Sequence, residues 1–204
     1  MSRDAIFATT TALRDRIEAL PDVGSIHVGL PKDIGALKAS LFLFNVVPNR
    51  DLRNVEHFRQ PSGGTAPSGP ARPVNALPVD LRYLISVARD HNPAAGADPA
   101  GLKTLGAIML GLHRDPVLQV NPASSPDDGQ QIVRVTPEPY SIEELNRIWG
   151  MFPDDDYRTS VVYLASPVFL EDVPAFGPPV LSRKLRQGIL AAPPGSLAQG
   201  GIPA

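Results

Sequence analysis

LPVDLRYLISV, residues 77–87, alternates with almost no error: Leu77, Val79, Leu81, Tyr83, Ile85 and Val87 fall on one side, and Pro78, Asp80, Arg82, Leu84 and Ser86 on the other. A period of two belongs to a strand with one face in a core. On the second face Asp80 and Arg82 stand at i, i+2, so they pair laterally or with a neighbouring strand. No nucleophile stands near them, and a structural or subunit-contact role is expected. Directly before this strand lies RQPSGGTAPSGPARPVNA, residues 59–76, with almost no large apolar side chain and many chain breakers. It reads as a flexible loop without structure of its own.

Outward from that strand, other elements follow the same logic. In residues 4–20, Ile6, Thr10, Leu13, Ile17 and Leu20 recur at helical spacing until Pro21 stops the run. SIHVGL (25–30) alternates as a short strand, and SLFLFNVV (40–47), apolar on both faces, reads as a central strand. Asp98-Pro99 is a good helix start, with Leu102, Leu105, Met109 and Leu112 as the expected apolar stripe. QIVRV (131–135) is a strand. Ser141 and Glu144 form a capping box for a helix whose apolar face is Leu145, Ile148, Trp149 and Phe152. YRTSVVYLASPVFLED (157–172) is the longest strand candidate, with a middle buried on both sides.

Composition limits function. At 204 residues, 43% hydrophobic and 20% charged, the chain is long enough for one sizeable core. A net charge of -2 gives no basic field for phosphate backbones or anionic membranes, so nucleic acid and membrane are not expected partners. Without cysteine there is no disulfide or thiolate site. The N-terminus has no secretory h-region and no apolar run reaches the length of a membrane span, which points to the cytoplasm.

Chemistry is scarce. His27, His57, His91 and His113 stand too far apart for a helical metal pair. GTAPSG (64–69) lacks the Lys-Ser/Thr of a phosphate loop. Asp154, Asp155 and Asp156 form a consecutive run whose carboxylates point in different directions, as in a solvated turn. Trp149 and the tyrosines occupy positions suited to packing. No G-x-S-x-G elbow is present. No catalytic residue, cofactor or metal is therefore expected, and the enzyme alternative is a small intracellular hydrolase with a site hidden in the sequence.

After residue 172 the last 32 residues carry six Pro and five Gly. That composition cannot close a core. It nevertheless includes Leu181, Leu185, Ile189 and Leu190 beside Arg183, Lys184 and Arg186, a short apolar and basic segment able to dock on another surface. Asp80, Arg82, Arg183, Lys184, Leu185, Arg186 and Ile189 are the candidate interface residues.

The order of landmarks is also informative. AIFATTTALRDRIEAL, SLFLFNVVPNRDLRN, LPVDLRYL, LKTLGAIMLGLHRDPVL, EPYSIEELNRIWG and YRTSVVYLASPV together resemble the cap, or tube-terminator, proteins of phage-tail-like contractile injection systems of the antifeeding-prophage type. The resemblance implies an α/β (α+β) subunit: a mixed sheet packed against helices, like a phage tail terminator, over residues 1–171, with a Pro/Gly-rich extension over 172–204. It implies a homo-hexameric ring on the last layer of inner tube and sheath, with the inner tube protein and sheath protein as partners. Such a ring ends polymerisation, anchors the distal sheath and acts by shape. It is assembled in the cytoplasm and released with the particle. The nearest alternative is a related phage-tail or baseplate completion protein.

Overall fold

A computed structural model describes residues 4–59, 62–63, 66–67, 72–88, 99–121, 130–153 and 157–172. All lie in one compact unit, Met1–Pro174. Asp98, His91, the run Asp154–Asp156, most of 64–69 and the candidate residues Arg183, Lys184, Leu185, Arg186 and Ile189 lie outside the described residues.

The elements in chain order are α1 (Ala5–Glu18), β1 (His27–Val28), a single 3₁₀ turn (Pro31–Ile34), β2 (Ala39–Pro48), β3 (His57–Arg59), β4 (Ser62–Gly63), β5 (Ala66–Pro67), β6 (Arg72–Val87), α2 (Pro99–Arg114), β7 (Val117–Val120), β8 (Gln131–Glu138), α3 (Ile142–Trp149) and β9 (Ser160–Asp172). One mixed sheet runs β1-β2-β6-β9-β8-β7, with β3 pairing the start of β6 and β4-β5 forming a separate hairpin. The β1 pairing is parallel and the rest antiparallel.

The alternation read from residues 77–87 holds. Val79, Leu81, Tyr83, Ile85 and Val87 are buried in the main core with Leu41 of β2, Val133 and Val135 of β8, and Tyr163, Ala165 and Val168 of β9. Leu13 and Ile17 of α1 and Ile108 and Leu112 of α2 cover that face. Leu77, five residues after the start of β6, is exposed. On the opposite face a smaller cluster joins Leu84 and Val162 to Ile148, Trp149 and Phe152 around α3. Phe42 and Trp149 each meet Phe152 edge to face, at 5.5 and 5.9 Å. The middle of β9 is thus buried on both sides, as the sequence predicts. The Ser141–Glu144 capping box is also in place, at 3.2 and 2.8 Å.

Four readings need correction. Arg72–Ala76, read as the end of an unstructured stretch, already belong to β6, with His57–Arg59 on one side of Arg72–Val74 and β9 beside Asn75–Ala76. A ladder of backbone hydrogen bonds to a good neighbouring strand needs no large side chain of its own. On α2 the buried stripe is Gly101, Thr104, Ile108 and Leu112, whereas Leu102 and Met109 are exposed. SIHVGL contributes only the two residues of β1. As a result β2 has a partner along its full length on one side only, so it is a penultimate strand with an open outer half rather than a central one. The edge strand β7 and the last residues of β8 escaped the sequence reading.

Two junctions set the shape of the sheet. Between Val79 and Leu81 the register with β9 shifts by one residue, at Ser166–Pro167. Here β8 parts from β9, and the Gln131 carboxamide substitutes for the ladder: it donates to the Phe169 carbonyl at 2.8 Å and accepts from the Phe169 N–H at 3.0 Å. A second shift falls between Leu43 and Asn45 of β2. Such bulges add bend and twist.

Candidate functional site

The second face of β6 carries the polar residues singled out by pattern. The Arg82 guanidinium reaches across β9 to Glu138 at the end of β8 and donates two bonds, Nε to Oε2 at 2.8 Å and Nη2 to Oε1 at 3.0 Å. Both side chains are about three-quarters covered, with relative exposures of 22% and 24%. The hydrogen bond to Glu138 raises the Arg82 pKa, so the guanidinium stays charged.

Asp80 sits beside the register shift. Its Oδ1 accepts from Ser166 Oγ at 2.6 Å and from Asn49 Nδ2 at 2.9 Å. Asn49 extends the network: its Oδ1 accepts from the N–H groups of Asp51 and Leu52, and its own N–H donates to the Pro78 carbonyl at 2.9 Å. The carboxylate therefore fastens the end of β2 and its turn to the bulge of β9. Asp80 and Arg82 share a face, as expected, yet each is bound to a different partner within the same chain. Structural pairing is what the geometry contains.

Glu138, Asn49, Ser166 and Gln131 were missed in the sequence. A signal existed for Glu138, because Arg134, Thr136 and Glu138 continue the alternation of β8 past Val135. Nothing local marks the other three.

The remaining polar chemistry is dispersed. His57 Nε2 lies 3.1 Å from the Leu52 carbonyl, and its ring packs on Phe169. His27 is in β1 and His113 is in the last turn of α2. Among the described residues no three of His, Asp and Glu gather as a metal site. An open cleft of about 660 Å³ between Leu37, Ala88 and the start of α2 is lined, among the described residues, by Asp22, Lys38, Lys103 and Thr104 and by no histidine. Buried Tyr83 hydrogen-bonds Thr10 Oγ1 at 2.8 Å, and burial pushes its pKa up to about 12. Trp149 packs in the α3 cluster and donates to Ser160 Oγ at 3.1 Å. No helix among the described residues is long and apolar enough to cross a membrane.

The class so defined is a mixed α+β fold whose buried and half-buried polar groups fasten strands to one another. The chain belongs to the Pvc16 N-terminal domain family, whose model matches residues 8–182. Two solved structures share the fold. The first is the sheath/tube terminator of the extracellular contractile injection system PVC in its extended state, with TM-score 0.53 and 18% identity over 98% of this chain and 65% of that one. The second is the anti-feeding prophage tube-terminating cap, with TM-score 0.53 and 20% identity over 85% of this chain and 58% of that one. The chain thus spans less than two thirds of either relative. No curated protein sequence matches it.

Proposed function

We propose that this chain is the structural cap of a contractile injection system: a ring of six copies that ends inner-tube and sheath polymerisation and anchors the distal sheath. The observation that carries this reading is the family match over residues 8–182, supported by the fold shared with two terminators. Termination requires one face complementary to the polymer end and another that offers no equivalent surface to a further layer. A ring follows when a head-to-tail contact closes by rotation. No catalysis or cofactor is required, and the polar groups around Asp80 and Arg82 give the subunit shape. The partners are the inner tube protein, the sheath protein and other copies of the chain, assembled in the cytoplasm and released with the particle. The apolar and basic tail segment, Leu181 to Leu190, serves attachment.

The test is to locate the chain in the particle. Cryo-electron microscopy of particles carrying a tagged copy should place six copies at the end distal to the baseplate. Density for the tag at the baseplate, or along the sheath, would overturn the reading in favour of a completion or sheath-associated role.

A further inference from the structure

A sheet that ends in a ring-forming subunit must dispose of its edges, because an unpaired row of N–H and C=O groups recruits another strand. Among the described residues two are blunted. The outer side of β8 beyond β7 is closed by Val135 N–H donating to the Pro116 carbonyl at 2.7 Å, and two residues on, Pro137 has no N–H to offer. Where β9 parts from β8, Gln131 occupies the backbone groups of Phe169.

Two edges at opposite ends of the same sheet are treated differently. On β2, the Leu41 carbonyl turns outward to accept from Gly29 N–H at 3.0 Å, but β1 goes no further. Asn49 N–H donates to Pro78, so Pro78, Asp80 and Arg82 turn their backbone toward β2, and Val46, opposite Leu81, turns its own outward. Among the described residues nothing bonds that outer side from Leu43 to Val47, and Val28 and Val46 are exposed beside it. On β7, Leu118 and Val120 face Val133 and Gln131 of β8, which by alternation leaves the backbone groups of Val117 and Gln119 outward. They border a groove of about 590 Å³ between β7 and α1, lined also by Ala12 and Ala19.

We infer that these two edges meet: the outer half of β2 in one copy adds to β7 of the next copy. Four antiparallel steps separate β2 from β7, so the two strands run in the same direction. A rotation about an axis along the strands therefore brings them together as a parallel pair with matching sheet faces. The edges differ, so the contact is head-to-tail and each copy uses both once, which is the arrangement that closes into a ring. This rests on the ring reading above and names the surface that forms the ring.

The absence of cysteine makes the test clean. Asn45 and Gln119 are exposed, and their side chains share the sheet face of Arg82. The double variant Asn45→Cys, Gln119→Cys, with Val117→Cys replacing Gln119→Cys to allow for a register step, is treated with a short bismaleimide, both as purified chain and in assembled particles. The expected result is a ladder of covalent oligomers up to the closed ring in the double variants, with monomer only in each single variant. Dimers from a single variant would show like edges meeting and overturn the proposal, as would double variants that stay unlinked in both settings while circular dichroism shows them folded. Unlinked chains located at the distal end of the particle would refute this contact alone. A ladder from chains located elsewhere in the particle would refute the cap reading alone.

Discussion

Tyr83 ties α1 to the middle of the sheet, and its ionisation gives a measurable consequence. The ring is fully buried, and the hydroxyl lies 2.8 Å from Thr10 Oγ1. Burial raises its pKa from 10.0 to about 12, a shift that the Thr10 hydrogen bond partly opposes. The folded value lies above the unfolded one, so the associated stability is complete below pH 10 and is lost as pH rises from about 10 to about 12, where only the unfolded chain ionises. Two pH units at about 1.4 kcal/mol each amount to about 3 kcal/mol, a large part of the roughly 5–15 kcal/mol that holds a domain. Tyr163 and Tyr140, raised in the same direction by burial, steepen the decline. The comparison is Tyr83→Phe, which cannot ionise and leaves the Thr10 hydroxyl without that partner, at a cost of about 1 kcal/mol. Urea unfolding followed by circular dichroism from pH 8 to 12 should show the variant less stable by about 1 kcal/mol at pH 8. It should be more stable than the parent by about 2 kcal/mol near pH 12, the difference between those two estimates. Parallel stability curves for the two proteins would mean that the Tyr83 hydroxyl ionises as readily in the folded chain as in the unfolded one.

Three further perturbations check other parts of the account. Arg82→Glu should destabilise the fold by about 1 kcal/mol or somewhat more, because it sets two carboxylates together at a partly covered site, and adding Glu138→Arg should recover most of the loss; a double mutant no better than the single in thermal denaturation would mean the pair contributes little. Gly101→Ala should cost about 1–3 kcal/mol despite the better helix propensity of alanine, since the new Cβ would stand 2.8 Å from the Ala88 carbonyl oxygen, a backbone atom, and an unchanged melting temperature would contradict that packing. Truncation after Asp172 should leave the unfolding transition of the core nearly unchanged yet weaken incorporation into particles, because the removed residues are too rich in Pro and Gly to supply core but include an apolar and basic segment; truncated protein that caps particles at the normal level would show the segment to be dispensable.

What could be read from sequence was local in origin. The period-two alternation of β6 and the reciprocal Ser141–Glu144 capping bonds depend on residues a few positions apart, and both are present as read. The phase of α2 was not decided locally. Leu102, Leu105, Ile108, Met109, Leu110 and Leu112 surround the helix with apolar side chains, and the choice falls to Gly101, which lets the helix approach the end of β6. Asp80 and Arg82 could be placed on one face, but their partners are 31, 86 and 56 residues away, so identity depended on a register that no local pattern carries. The start of β6 was hidden for a related reason. Its pairing with β3 and β9 is a backbone property, and Arg72–Ala76 have no side-chain pattern that announces it.

Whether this chain ends a growing polymer is decided by the length distribution of particles made without it. Electron micrographs of a deletion strain should show tubes and sheaths of broad, uncontrolled length or with sheath detached at the distal end, and complementation with the intact chain should restore a narrow distribution. Particles of normal, uniform length with intact sheath in the deletion strain would contradict the account.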